Sequence, residues 1–278
     1  MESRSRSRRS RPTSDGPIKP YDHDPTTRHG QDLQDYLRHE VAIRFGSPLF
    51  TKLKRKYWEY PHIKGKPLIF AIESFHESGS LILSNSELSR YLFGVSQRWY
   101  HDAEGKLVIV GEKLDEHRRG LKVIPSGFFR QLDAEHVSGV LFSNSGTIPK
   151  FNRMGLQAKY GAGTVRMLRW GTNYKWDPNA TTPDIFVYEV GSPADGEETW
   201  REGTVLIRNP YALHKLPEEW LGAGAEDDLV GDQSVMTFRE PFFPYMSKTE
   251  SFNGNERSAI LQKRMNDIAR SLSKAYPQ

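Results

Sequence analysis

Apolar positions in the first third of the chain recur mainly at helical spacing, and later ones gather into short runs. Leu33, Tyr36, Leu37 and Val41 share one face of a helix that begins near Asp32, and Gly46 suits its C-terminal cap. Ser47 and Pro48 then predict the start of a second helix, because a hydroxyl caps free N–H groups and proline tolerates the first turn. Leu49, Leu53 and Tyr57 fall on one face of that helix, with Lys52, Arg55 and Lys56 on another. The run 68–72, which follows Gly65 and Pro67, reads as a buried strand. Ser84 with Glu87 forms a capping box for a helix through Leu88, Tyr91 and Leu92, closed by Gly94.

Further runs at 107–110, 137–142, 165–170, 185–190, 204–207 and 235–238 predict strands, and 112–122 reads as a charged stretch. A helix over about 255–275 carries the stripe Leu261, Met265, Ile268 and Leu272. Helices early and strands later imply an α/β or α+β fold, a mixed β-sheet flanked by helices. Residues 32–278 form one main domain on this reading. Residues 1–31, rich in Arg, Ser and Pro, have no apolar periodicity and read as a disordered basic lead.

Composition changes the picture in three ways. The longest apolar runs hold about half a dozen residues, far short of the roughly 20 that a spanning helix needs, so no membrane partner is expected. With no cysteine, disulfides, thiolate metal sites and cysteine nucleophiles are excluded; with no secretory signal either, the cytoplasm is the expected address. The net charge of +4 belongs to the lead: removing Glu2 and the five arginines of residues 1–12 leaves 34 basic and 34 acidic residues. Such an Arg/Ser tract either holds phosphate backbones or is a solvated extension.

The glycine-rich phosphate loops, the two-histidine zinc helix and the nucleophile elbow are all missing. Three clusters remain. Glu73 and His76, with Glu77, follow the strand at 68–72, where ligands gather in α/β sheets. They are candidates to bind a divalent metal such as magnesium or to move protons. The loop 143–147 contains Asn144 and Ser145 and is followed by Lys150 and Arg153, which predicts an anion or phosphate site. The third cluster, Lys52, Lys54, Arg55, Lys56, Lys64 and Lys66, is interleaved with Tyr57, Trp58 and Tyr60, as nucleic-acid contact requires. His62, His101, His117, His136 and His214 show no ligand spacing, and Trp170, Trp176, Trp200 and Trp220 read as packing.

Three stretches carry a resemblance: Tyr57-Trp58-Glu59-Tyr60-Pro61-His62 leading to Gly65-Lys66-Pro67, Ile124-Pro125-Ser126-Gly127-Phe128-Phe129, and 142–155. Together they resemble an uncharacterised bacterial protein family of no assigned activity, over about residues 33–245. Residues 47–73 are also similar to the second half of a restriction-endonuclease-like core. In that superfamily the metal-binding Asp and the Glu-x-Lys pair lie on strands before this helix. Here the upstream region is the Arg/Ser/Pro-rich lead, with Asp22-His23-Asp24 its nearest acidic cluster. The resemblance therefore implies a nucleic-acid-associated protein with a catalytically incomplete nuclease-like core. Two other functions stay open. One is a metal-dependent hydrolase using Glu73 and His76 with the 143–153 loop; the other is a protein-interaction module presenting Trp170 or Phe242-Phe243.

Overall fold

The computed structural model describes residues 35–74, 85–160 and 163–276. A π-helical turn, Tyr36–Val41, runs directly into helix α1, Ala42–Leu53. Strand β1 is Ile69–Glu73 and helix α2 is Ser86–Phe93. Two antiparallel hairpins follow, β2 (Val95–His101) with β3 (Leu107–Lys113), and β4 (Glu116–Arg119) with β5 (Lys122–Pro125). Next come β6 (Gly139–Ser143), α3 (Ile148–Gln157), β7 (Val165–Asn173), β8 (Asp184–Glu189) and β9 (Thr204–Arg208). The described chain closes with β10 (Ala225–Val230), β11 (Gln233–Phe238), β12 (Pro244–Asn253) and α4 (Ser258–Ala275). The fold is α+β.

The central sheet has the order β1-β6-β9-β10-β11. β1 is parallel to β6 and β9 to β10, while the β6–β9 and β10–β11 pairs are antiparallel, so the sheet is mixed. Period-two alternation sends Val140 and Phe142 into the main core, where Phe45, Leu49, Leu88, Leu92 and Ile207 also sit. Leu141 faces the other way, against Leu206, Leu216 and Ala223. A second sheet, β12-β7-β8, carries α4 on one face, and the predicted stripe supplies the contact: Leu261, Ile268 and Leu272 pack on Leu168, with Met265 half-buried beside them.

The helix boundary expected at Gly46-Ser47 does not exist. The chain stays helical from Tyr36 to Leu53, with Pro48 inside α1. Gly46 serves packing rather than capping, since a Cβ there would lie 2.8 Å from both Ile124 Cδ1 and Tyr91 Cζ. Helix α1 ends at Leu53, so Arg55 and Lys56 stand beyond it, and Lys56 takes a left-handed turn (φ +50°) into the 3-10 turn Tyr57–Glu59. Ser84 lies outside the described residues; Gly94 closes α2 in the left-handed conformation as expected, its N–H bonded to the Arg90 carbonyl. Much of the charged stretch 112–122 is strand, because β4 and β5 form a hairpin that buries His117 between exposed neighbours.

Candidate functional site

The β1–β6 pair separates two candidate places. Its register runs from Ile69 opposite Gly139 to Glu73 opposite Ser143, about 13 Å at the usual rise per residue.

At the Glu73 end, the structure brings Glu73 and the 143–147 loop together. Gly146 N–H donates to Glu73 Oε1 at 2.9 Å, and a Cβ on Gly146 would meet the same oxygen at 2.9 Å. The loop's other groups are also committed. Asn144 Nδ2 donates to the Tyr245 carbonyl at 3.0 Å, Ser145 Oγ to the Glu202 carbonyl at 2.8 Å, and Ser145 N–H to Ser143 Oγ at 3.2 Å. Thr147 caps α3 by accepting from Lys150 N–H. The anion held by this loop is therefore the chain's own Glu73 carboxylate. Partial burial raises the Glu73 pKa, against the pull of the Gly146 N–H and the Lys150 charge. His76 and Glu77 lie outside the described residues.

Lys150 and Arg153, expected to supply countercharge to a ligand, are each 2% exposed and are taken up internally. Lys150 Nζ donates to the carbonyls of Glu202 (2.7 Å) and Trp200 (3.0 Å). Arg153 grips Glu198 with both arms, at 2.8 and 2.6 Å, and also reaches Thr249 Oγ1. Arg169 completes the network, donating to Glu202 at 2.7 Å, Ser247 Oγ at 2.8 Å and Tyr188 Oη at 3.1 Å. Burial lowers the Lys150 pKa to about 8, even with Glu198 and Glu202 nearby, and raises that of Glu202 against Arg169. This is a buried ionic layer tying α3 to β7 and to the 198–202 segment, with its donors and acceptors matched to one another.

The opposite end of the pair is more open. Ser138 N–H donates to the Leu68 carbonyl at 2.7 Å and Leu68 N–H to Ser138 Oγ at 3.0 Å, which joins the entries of the two strands. Leu213 N–H donates to the Glu135 carbonyl at 2.8 Å and brings the 213–214 segment alongside. Between these pieces is an open cleft of about 370 Å³, lined by Trp58, Glu59, Lys64, Gly65, His136 and His214. Trp58 stacks flat on His136, with ring centroids 4.5 Å apart and planes within 8°.

The basic segment contributes Trp58, Glu59, Lys64 and Gly65 to this cleft. Residues 52–66 carry six cations and one carboxylate, Glu59. Lys54, Arg55, Lys56, Lys64 and Lys66 are exposed, and Lys52 is half-buried. Lys56 lies 3.8 Å from both Glu59 and Asp133. Lys54 sits over the Phe50 ring, Arg55 donates to Tyr57 Oη and Lys66 to the His62 carbonyl. Among the described residues, Lys52, Lys54, Arg55, Lys64 and Lys66 have no carboxylate partner. The lead apart, a neutral chain thus retains a local excess of positive charge over residues 52–66, which includes Lys52, Arg55 and Lys56.

The histidines differ in their settings. His117 is fully buried and His101 bonds the Asn179 carbonyl at 3.0 Å. His136 and His214, with nothing in sequence to relate them, meet at the cleft. His136 also belongs to a group with Asp133 and Glu135 whose ligating atoms all lie within 4.8 Å of one another. The sequence does hold a signal for this group, since the three residues fall within four positions on a single 3-10 turn. Trp200 and Trp220 are exposed, and Trp176, though also exposed, packs edge-on against Tyr174 and Phe238. Of the residues an interaction module would present, Phe243 is 3% exposed, Phe242 is half-buried beside Phe186, and Trp170 is half-buried against the α4 cluster. No helix among the described residues is long and apolar enough to cross a membrane. Comparison with family models, curated proteins and solved structures finds no match to the chain.

Proposed function

We propose that this protein binds nucleic acid through the face built from residues 52–66. The observation that carries the reading is a set of five cations within fifteen residues, Lys52, Lys54, Arg55, Lys64 and Lys66, without carboxylate partners among the described residues, with Lys64 on the wall of the cleft. Cations whose charge is not neutralised internally are available to phosphates, and each contact gains from counterion release. Half-buried Trp58 and exposed Tyr60 add aromatic surface at the same face, the combination by which single strands are held through backbone charge and base stacking. Glu73 and the 143–153 loop lie at the other end of the strand pair and take no part in this contact.

The test is fluorescence anisotropy with short single- and double-stranded oligonucleotides on the full chain. A variant carrying K54E, R55E and K64E is compared with one in which Arg4, Arg6, Arg8, Arg9 and Arg11 are replaced by glutamine. The proposal predicts at least tenfold weaker binding for the first variant and a smaller change for the second. Equal binding by wild type and the charge-reversed face would overturn it.

A further inference from the structure

We propose that Asp133, Glu135 and His136 form a binding site for a first-row divalent cation of the zinc or manganese class, on the wall of the cleft beside Trp58. The inference goes beyond nucleic-acid contact and stands whether or not that contact is made. The three side chains can each present one ligating atom, mutually within 4.8 Å, which a single ion can bridge. One imidazole nitrogen with two carboxylate oxygens suits zinc or manganese better than magnesium, which favours an all-oxygen shell.

Their surroundings point the same way. Among the described residues the Glu135 carboxylate and the ring nitrogens of His136 make no hydrogen bond or ion pair, although both residues are half-buried. The Trp58 stack fixes the plane of the His136 ring, so the imidazole is already oriented. Asp133 pairs with Lys56 at 3.8 Å, an ammonium that a bound cation would displace. Three protein ligands leave coordination positions open, and the cleft lined by His136 and His214 gives them access to solvent and to an incoming ligand atom.

The probes are zinc chloride and manganese chloride, titrated calorimetrically into chelator-treated full-length protein. The site predicts one equivalent bound by the wild type and at least tenfold weaker binding in E135Q, which leaves the Trp58–His136 stack intact. H136A should lose binding, with circular dichroism checking that it stays folded. K56M should move the other way and bind several-fold tighter, because it removes an ammonium that repels the incoming cation and competes with it for Asp133; a mere loss of folding cannot produce that gain. Undiminished binding in both E135Q and H136A, or no binding by wild type at millimolar metal, would overturn the proposal. Neither outcome bears on the anisotropy of the K54E/R55E/K64E variant, so the two readings fail separately.

Discussion

His117 is the residue whose chemistry departs furthest from its sequence setting. It alternates with exposed neighbours in a charged hairpin, yet it is fully buried. Its Nδ1–H donates to the Arg38 carbonyl at 2.7 Å and its Nε2 lies 2.9 Å from Ser126 Oγ, so the neutral ring is satisfied on both sides. Burial drives its pKa down to about 4. Between that value and the unfolded value of about 6.5 the unfolded chain binds the extra proton, so stability falls as pH drops through this window. The full shift is worth about 3 kcal/mol. Urea unfolding at pH 7 and pH 4 should show a loss of that order in the wild type and a flatter profile in H117Q; parallel profiles would refute the assignment. Gly46 poses the opposite question. Helix propensity alone makes Ala better than Gly by about 1 kcal/mol, but a Cβ there would press on Tyr91 and Ile124 at 2.8 Å. Overpacking costs about 1–3 kcal/mol. G46A should therefore melt lower than wild type, and a higher melting temperature would show that the core can give way.

Elements were legible in the sequence where packing reinforced local pattern. Helix α4 reads directly from Leu261, Met265, Ile268 and Leu272, and its burial on β7 follows that stripe. L261A should cost about 2–4 kcal/mol, measured by denaturant unfolding, since the side chain is 1% exposed in that interface. Strands β1, β6 and β9 were legible as apolar runs because both faces of the sheet are covered. β10 was not: its Glu226 and Asp227 are buried polar groups held by Arg208, Ser89 and Ser234, so its sequence looks like surface. The 143–153 segment misled for a related reason. A hydroxyl-rich loop followed by Lys150 and Arg153 has the composition of an anion site, but the acceptors that occupy it, the carboxylates of Glu73 and Glu198 and the carbonyl of Glu202, come from distant positions in the chain. Arg153 is thus a structural cation. R153M should destabilise by about 3–5 kcal/mol, because it leaves the buried Glu198 charge with only the longer contact to Arg169 at 3.4 Å. Adding E198Q should recover part of that loss in a double-mutant cycle, whereas simple additivity would contradict the pairing.

For the whole molecule, the question is which of two positive regions meets a partner. Residues 1–12 carry the net charge of the sequence, while the rest of the chain carries a local excess at residues 52–66 that its overall neutrality conceals. The basic–aromatic segment was visible in the sequence. Its isolation from the chain's carboxylates, and the convergence of His136 and His214 beside it, were not, because both depend on how β1 and β6 pair. The salt dependence of oligonucleotide binding distinguishes the two regions most directly, since each phosphate contact adds about 0.7 to the slope of log K against log salt for a single strand. With the five lead arginines replaced by glutamine, the protein should keep a slope of about 2 or more, and adding K54E, R55E and K64E should bring it close to zero. A slope that vanishes with the lead arginines alone, leaving the 52–66 face intact but silent, would contradict the account.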